Sequence, residues 1–186
     1  MDVLLALSNA IARVLERIAL WAGWLLIVLM TVTCVDVVCR KLGVPIPYTK
    51  FQEMEWHLHA TIFSLWMGYC YVINAHPRVD SYTETLAFRS RAWIELVGCL
   101  VFAFPYMLFI AYFGLDFLRI SFLQDEGSEN VAGLHYRWAI KGVFVLGLVL
   151  TLLAVISVIF RLIAFVFGKR PAEQVDLRIG HAVSEV

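Results

Sequence analysis

Four stretches of this chain carry no Asp, Glu, Lys or Arg: Ile18–Val35, Trp56–Pro77, Leu96–Leu115 and Gly142–Phe160, of 18, 22, 20 and 19 residues. A helix needs about 20 apolar residues to cross roughly 30 Å of hydrocarbon, so each run is long enough for one crossing. Open strands are excluded, because lipid cannot satisfy their backbone groups. Composition agrees. Hydrophobic residues make up 61% of the chain and charged residues 16%, against roughly half and about a quarter in soluble domains. Too few polar residues remain to cover a water-facing surface. The chain reads as an all-α integral membrane protein with four transmembrane helices, at about 18–38, 55–75, 91–118 and 138–167. These form a single membrane domain over 1–170, and 171–186 reads as a mobile cytoplasmic tail.

Two further segments are expected. Leu4, Leu7, Ile11, Val14 and Ile18 recur at helical spacing, with Asn9, Arg13, Glu16 and Arg17 opposite. That pattern predicts an N-terminal amphipathic segment, lying in the interface plane or forming the first turns of a long span. Gly43, Pro45 and Pro47 break the chain after span one. Thr49 with Gln52 three residues later fits a capping box, so a short interfacial helix is expected from Lys50, bending into span two. Asn74-Ala75-His76-Pro77 ends span two, since proline disfavours helix in the residue before it. Pro105 is expected to kink span three. The first apolar run is long and lacks a small-residue cleavage site, so it reads as a retained span. Nine of the Lys and Arg residues fall on the side of the termini and second loop and six on the other, which predicts both termini in the cytoplasm.

The charge pattern excludes whole classes of function. Formal net charge is zero, so nothing points to nucleic acid. Cys34, Cys39, Cys70 and Cys99 lie in or at the ends of spans, without the spacing of a redox or metal motif. No nucleophile, phosphate-loop or zinc-protease signature is present, so no catalytic, cofactor-binding or metal residues are assigned and no cofactor is expected. A haem- or quinone-linked membrane anchor of an oxidoreductase is the alternative reading, resting on four spans and several histidines. It needs histidines on facing helices at matched depth, and His57 and His59 stand at one end of span two with His76 at the other.

Specific polar residues gather instead at the rims of the spans. Asp36 and Arg40 are four apart and can pair along one helix face. Glu53, Glu55, Trp56 and His57 open span two, Arg78 and Asp80 follow it, and Arg137 and Lys141 open span four. These ten residues are the candidate contacts to a partner protein. The third loop, 120–136, is acidic through Asp125, Glu126 and Glu129 and is expected to be solvated.

The order of these residues resembles the small membrane subunit of tripartite ATP-independent periplasmic (TRAP) transporters, the DctQ-like family. The resemblance is carried by Asp36-Val37-Val38 with Arg40, Gly43 and Pro45, then by Glu53, Glu55-Trp56-His57-Leu58 and Gly68-Tyr69. His76-x-Arg78-Val79-Asp80 and Gly133-Leu134 with Tyr136-Arg137-Trp138 and Lys141 complete it. Pro77 stands where the family pattern has Val. The resemblance implies a non-catalytic scaffold for a large multi-span membrane subunit. That partner would take up an organic acid by sodium symport from a periplasmic substrate-binding protein, across the bacterial inner membrane.

Overall fold

The computed structural model describes residues 1–76, 83–168 and 171–179, the side chain of Glu84 excepted. Four helices carry the described residues: α1 (Asp2–Leu42), α2 (Tyr48–Val72), α3 (Phe88–Leu123) and α4 (Arg137–Gly168). By length and composition α1, α3 and α4 can each cross a membrane. α2, with 25 residues, is long enough, but Lys50, Glu53, Glu55, His57 and His59 crowd its first half and lower its hydropathy. The apolar helices therefore number three on that measure, where four were expected.

The N-terminal amphipathic segment is not separate. α1 runs unbroken for 41 residues, about 60 Å at 1.5 Å per residue, because no Gly or Pro interrupts the passage through Arg17 and Ile18. In its first half the buried positions are Leu5, Ser8, Leu15 and Ala19, followed by Ala22 and then Asp36, while Leu7 and Val14 are about half exposed. The face turned inward is thus the one with small residues, not the one with the largest apolar side chains.

α1 ends in a Schellman motif. Gly43 takes φ +69°, its N–H donates to Arg40 O, and the Val44 N–H reaches back to Cys39 O at 2.9 Å. Only glycine enters that left-handed region without a Cβ penalty. Asn74, at φ +58°, ends α2 the same way, with the Ala75 N–H on Cys70 O. The interfacial helix expected before span two is also absent as a separate element. α2 begins at Tyr48 behind Pro47 and continues without a bend element, and the Thr49 hydroxyl makes no capping bond. Proline at the cap position supplies a fixed φ there in place of a side-chain acceptor.

α3 contains a π-helical turn at Cys99–Ala103, where the Phe104 N–H donates to Cys99 O. Pro105 follows immediately and has no N–H to give. The wide turn absorbs the irregularity that the sequence predicted as a kink.

α4 lies at the centre and packs against the other three helices, with α2 beside both α1 and α4. The α2–α4 crossing is close because the contact residues are small. Ser64 and Gly68 on α2 meet Gly147 and Thr151 on α4, each pair four apart. A Cβ on Gly147 would lie 2.6 Å from Ser64 O, and one on Gly68 would lie 2.8 Å from Leu150 O. Small residues at this spacing let backbones approach where lipid offers no hydrophobic drive. Trp66 Nε1 ties α2 to α1 through Ala19 O at 2.8 Å.

At the far end of α4, Arg161 is buried rather than snorkelled. Its Nε donates to Ser8 Oγ at 3.0 Å, and one terminal nitrogen donates to Asp176 O and Oδ2 at 2.8 and 3.1 Å. In residues 171–179, Val175, Leu177 and Ile179 are buried in one apolar cluster with Ala92, Leu96, Leu162 and Val166. The rest of the expected mobile tail lies outside the described residues.

Candidate functional site at the polar end of the bundle

The five-residue link 43–47 sets the end of α1 beside the start of α2, and the third loop brings the end of α3 and the start of α4 to the same place. Eight of the ten candidate contacts, all but Arg78 and Asp80, gather at this end. Those two lie outside the described residues.

Asp36 and Arg40 pair as the spacing predicted, Arg40 donating to Asp36 Oδ2 at 2.5 Å. Asp36 is 4% exposed and its Oδ1 has no hydrogen-bond partner. The Arg40 guanidinium lies 5.1 Å from the centre of the Tyr48 ring, whose hydroxyl donates to Val44 O. Helix end, link and next helix are thus bound by one local cluster.

Glu53 is also buried, at 6% exposure. Its carboxylate accepts from the Ser128 hydroxyl and from the Leu134 N–H, both on the third loop. Gly133 packs closely there: a Cβ would collide with the Ser128 side chain and lie 2.6 Å from Glu53 Oε1. The loop folds on itself as well, Ser128 N–H donating to Leu134 O and Gly133 N–H to Asn130 O. Glu126 holds its base through an ion pair with Lys141, and Arg137 lies 4.0 Å from Glu126 and 3.5 Å from Glu129. Lys141 Nζ sits 3.8 Å over the Phe117 ring. The acidic loop, expected to be solvated, is in fact a docked cap; Asp125 and Glu129 are its exposed acids. Sequence gave no hint of this, because the partners of Glu53 are 75 and 81 residues away.

Glu55 and Trp56 face another way, into a groove between α1 and α2. The His57 ring turns to its own helix, with Nδ1 2.5 Å from Glu53 O, and stacks against Trp56. Gln52 and His59, not among the candidates, line the same groove as Glu55. Their spacing of three and four from Glu55 was the available signal.

The two carboxylates that hold the loop, Glu53 on α2 and Glu126 at its base, are electrostatically committed. The Leu134 N–H, then the Ser128 hydroxyl, hold Glu53 below its ordinary 4.5, and the Lys141 ammonium does the same for Glu126. A carboxyl with a depressed folded pKa contributes stability that is present above its unfolded value and lost as pH falls through the folded one. Loop docking is therefore expected to hold above about pH 4.5 and weaken below it. The protection factor of the Leu134 amide in hydrogen exchange reads this directly. Unchanged protection well below that pH would contradict the role of Glu53.

Among the described residues, the groups at this end are arranged to bind and position. A family model, the DctQ component of tripartite ATP-independent periplasmic transporters, matches residues 29–165. No curated protein and no solved structure gives a match. The family functions in transporters built from a small membrane component, a large membrane subunit and a periplasmic binding protein. The matched segment takes in all ten candidate contacts and most of the four helices, so the chain belongs to the DctQ family, the small permease components of TRAP transporters.

Proposed function

We propose that the chain is a static scaffold for the large membrane subunit, which carries an organic acid inward on a sodium gradient after delivery by the periplasmic binding protein. In this reading the chain crosses the bacterial inner membrane four times with both termini in the cytoplasm. α2 crosses as a protein-covered span, and the third loop faces the periplasm.

One observation carries this reading. Among the described residues, the buried polar side chains between the Glu53 layer and the layer formed by Ser8, Ser157 and Arg161 are Ser64 and Thr151. Both sit at the α2–α4 crossing, and Thr151 is spent on Gly147 O. A transport path needs ionisable or unwound groups near mid-membrane, and this interior supplies a packed crossing instead. Substrate and sodium sites then belong to the partner.

Co-expression with the large subunit and binding protein tests the proposal. The chain is expected to co-purify with the large subunit in mild detergent, and vesicles are expected to take up the acid only when both membrane subunits are present. Uptake by vesicles holding this chain alone, or its recovery free of the large subunit, would overturn the scaffold role.

A further inference from the structure

The polar end divides into groups satisfied within the chain and groups that are not. Glu53, Glu126 and Lys141 are engaged with one another or with the third loop, while Arg137 pairs at 4.0 Å with Glu126 and 3.5 Å with Glu129 and keeps a buried Nε without a hydrogen-bond partner among the described residues. Glu55 is two residues on from Glu53, about 200° around the helix, and lines an open groove of about 730 Å³ between α1 and α2. Glu55, Trp56, His59 and Phe63 form one wall at helical spacing, and Met30 and Thr33 of α1 form the other. Glu55 Oε1 is shielded from solvent and has no hydrogen-bond partner among the described residues. On α1, Asp36 stands three residues beyond Thr33, and its Oδ1 is likewise buried and unpartnered.

Asp36 is paired with Arg40 and does not line the groove, but the Glu55 carboxylate does, and it cannot be left to lipid, whose acyl chains have no donor to offer. This separates the groove from the other outward faces. Residues 102–113 of α3 expose Phe102, Tyr106, Phe109 and Phe113, but that stretch carries no carboxylate and no basic side chain, so acyl chains satisfy it. In the groove, Ala60 lies between the large Trp56 and Phe63, leaving room for a close backbone approach.

We propose that the α1–α2 groove seats a membrane helix of the large permease subunit, which presents a basic side chain to Glu55. The proposal rests on the scaffold reading and adds to it the face, the groove and the charge of the contact. Of the ten rim residues, it makes Glu55 and Trp56 contacts to the partner. Glu53 and Lys141 become residues that shape the end on which the partner docks.

Photo-crosslinking in the intact, co-expressed transporter tests this. p-Benzoylphenylalanine replaces Phe63 in the groove or Phe109 on α3, each in an otherwise unchanged chain. The adduct with the large subunit is expected to be at least tenfold stronger from position 63. In a pull-down, Glu55→Lys is expected to lower recovery of the large subunit about tenfold, and Glu55→Gln, which keeps an acceptor, by much less. An equal or stronger adduct from position 109 would overturn the groove assignment. So would adducts at 63 only with lipid or with a second copy of this chain, or recovery unchanged by Glu55→Lys. If the unaltered chain fails to co-purify with the large subunit, the scaffold reading itself fails, and the two failures are told apart by that control.

Discussion

Gly147→Ala is expected to lower the thermal stability of the detergent-solubilised protein, while Gly98→Ala leaves it unchanged or raises it. Both glycines lie in helices, and intrinsic propensity favours alanine over glycine by up to about 1 kcal/mol. Propensity alone therefore predicts that both variants gain. Packing reverses the sign at one of them. A Cβ on Gly147 would meet Ser64 O at 2.6 Å and Ser64 Cβ at 2.7 Å, whereas one on Gly98 meets nothing within 4 Å. The Ser64 carbonyl belongs to a helix backbone and cannot rotate aside, so α2 and α4 must separate. Separation loosens the contacts of Leu15, Val72, Leu150 and Ala154 that surround the crossing. Overpacking of this kind costs about 1–3 kcal/mol, and backbone on the receiving side places this case at the upper end. Gly68→Ala, with Leu150 O at 2.8 Å, should behave like Gly147→Ala. The check is the temperature at which the monodisperse peak is lost after heating. If Gly147→Ala melts no lower than Gly98→Ala, the helices do not approach as closely as described.

The same crossing shows what a sequence of this kind discloses and what it conceals. Four charge-free runs announced four helices, and Gly43 and Asn74 marked two of their ends because left-handed caps are written in single residues. The Asp36–Arg40 pair was legible for the same reason: both partners sit on one helix face, four residues apart. Which face of each helix turns inward was not legible. In water an apolar stripe marks the buried side, but lipid is as apolar as leucine. Leu7 and Val14 therefore face outward while Ser8 and Ala19 face in. The continuity of α1 was one of two readings left open, because Arg13, Glu16 and Arg17 suit an interfacial segment as well as the first turns of a long span, and charge alone does not stop a helix. Thr49 and Gln52 matched a capping pattern that Pro47 made unnecessary. Glu53 read as a group offered to a partner. Within the chain it is bonded by Ser128 and Leu134, on a loop that only the fold brings back to it.

Arg161→Met is expected to undock residues 171–179 while leaving the four helices together. Arg161 joins three parts of the chain: Ser8 and Asn9 of α1, its own helix α4, and Asp176 of the terminal segment. Methionine roughly preserves the volume and removes every one of these bonds. Within the bundle the loss is small, because Ser8 and Ser157 remain bonded to each other, hydroxyl to hydroxyl at 2.8 Å and hydroxyl to carbonyl at 3.0 and 3.1 Å. At the terminal segment the loss is larger. The Asp176 side chain is about half exposed and can return to water, so the full penalty of an orphaned buried charge does not apply. What disappears is a charge-assisted hydrogen bond and its anchor, on the order of 2 kcal/mol, or roughly thirtyfold in the docking equilibrium. Trypsin cleavage after the exposed Arg178 should accelerate by about that factor. Arg161→Lys keeps the charge but not the fork of donors and should fall between. Leu177→Asp is expected to release the segment as strongly by the opposite route, since it places a charge among Leu96, Leu162 and Val166. A segment that stays protease-resistant in Arg161→Met but is released by Leu177→Asp would mean that apolar burial alone docks it. Arg161 would then serve only to join α1 to α4.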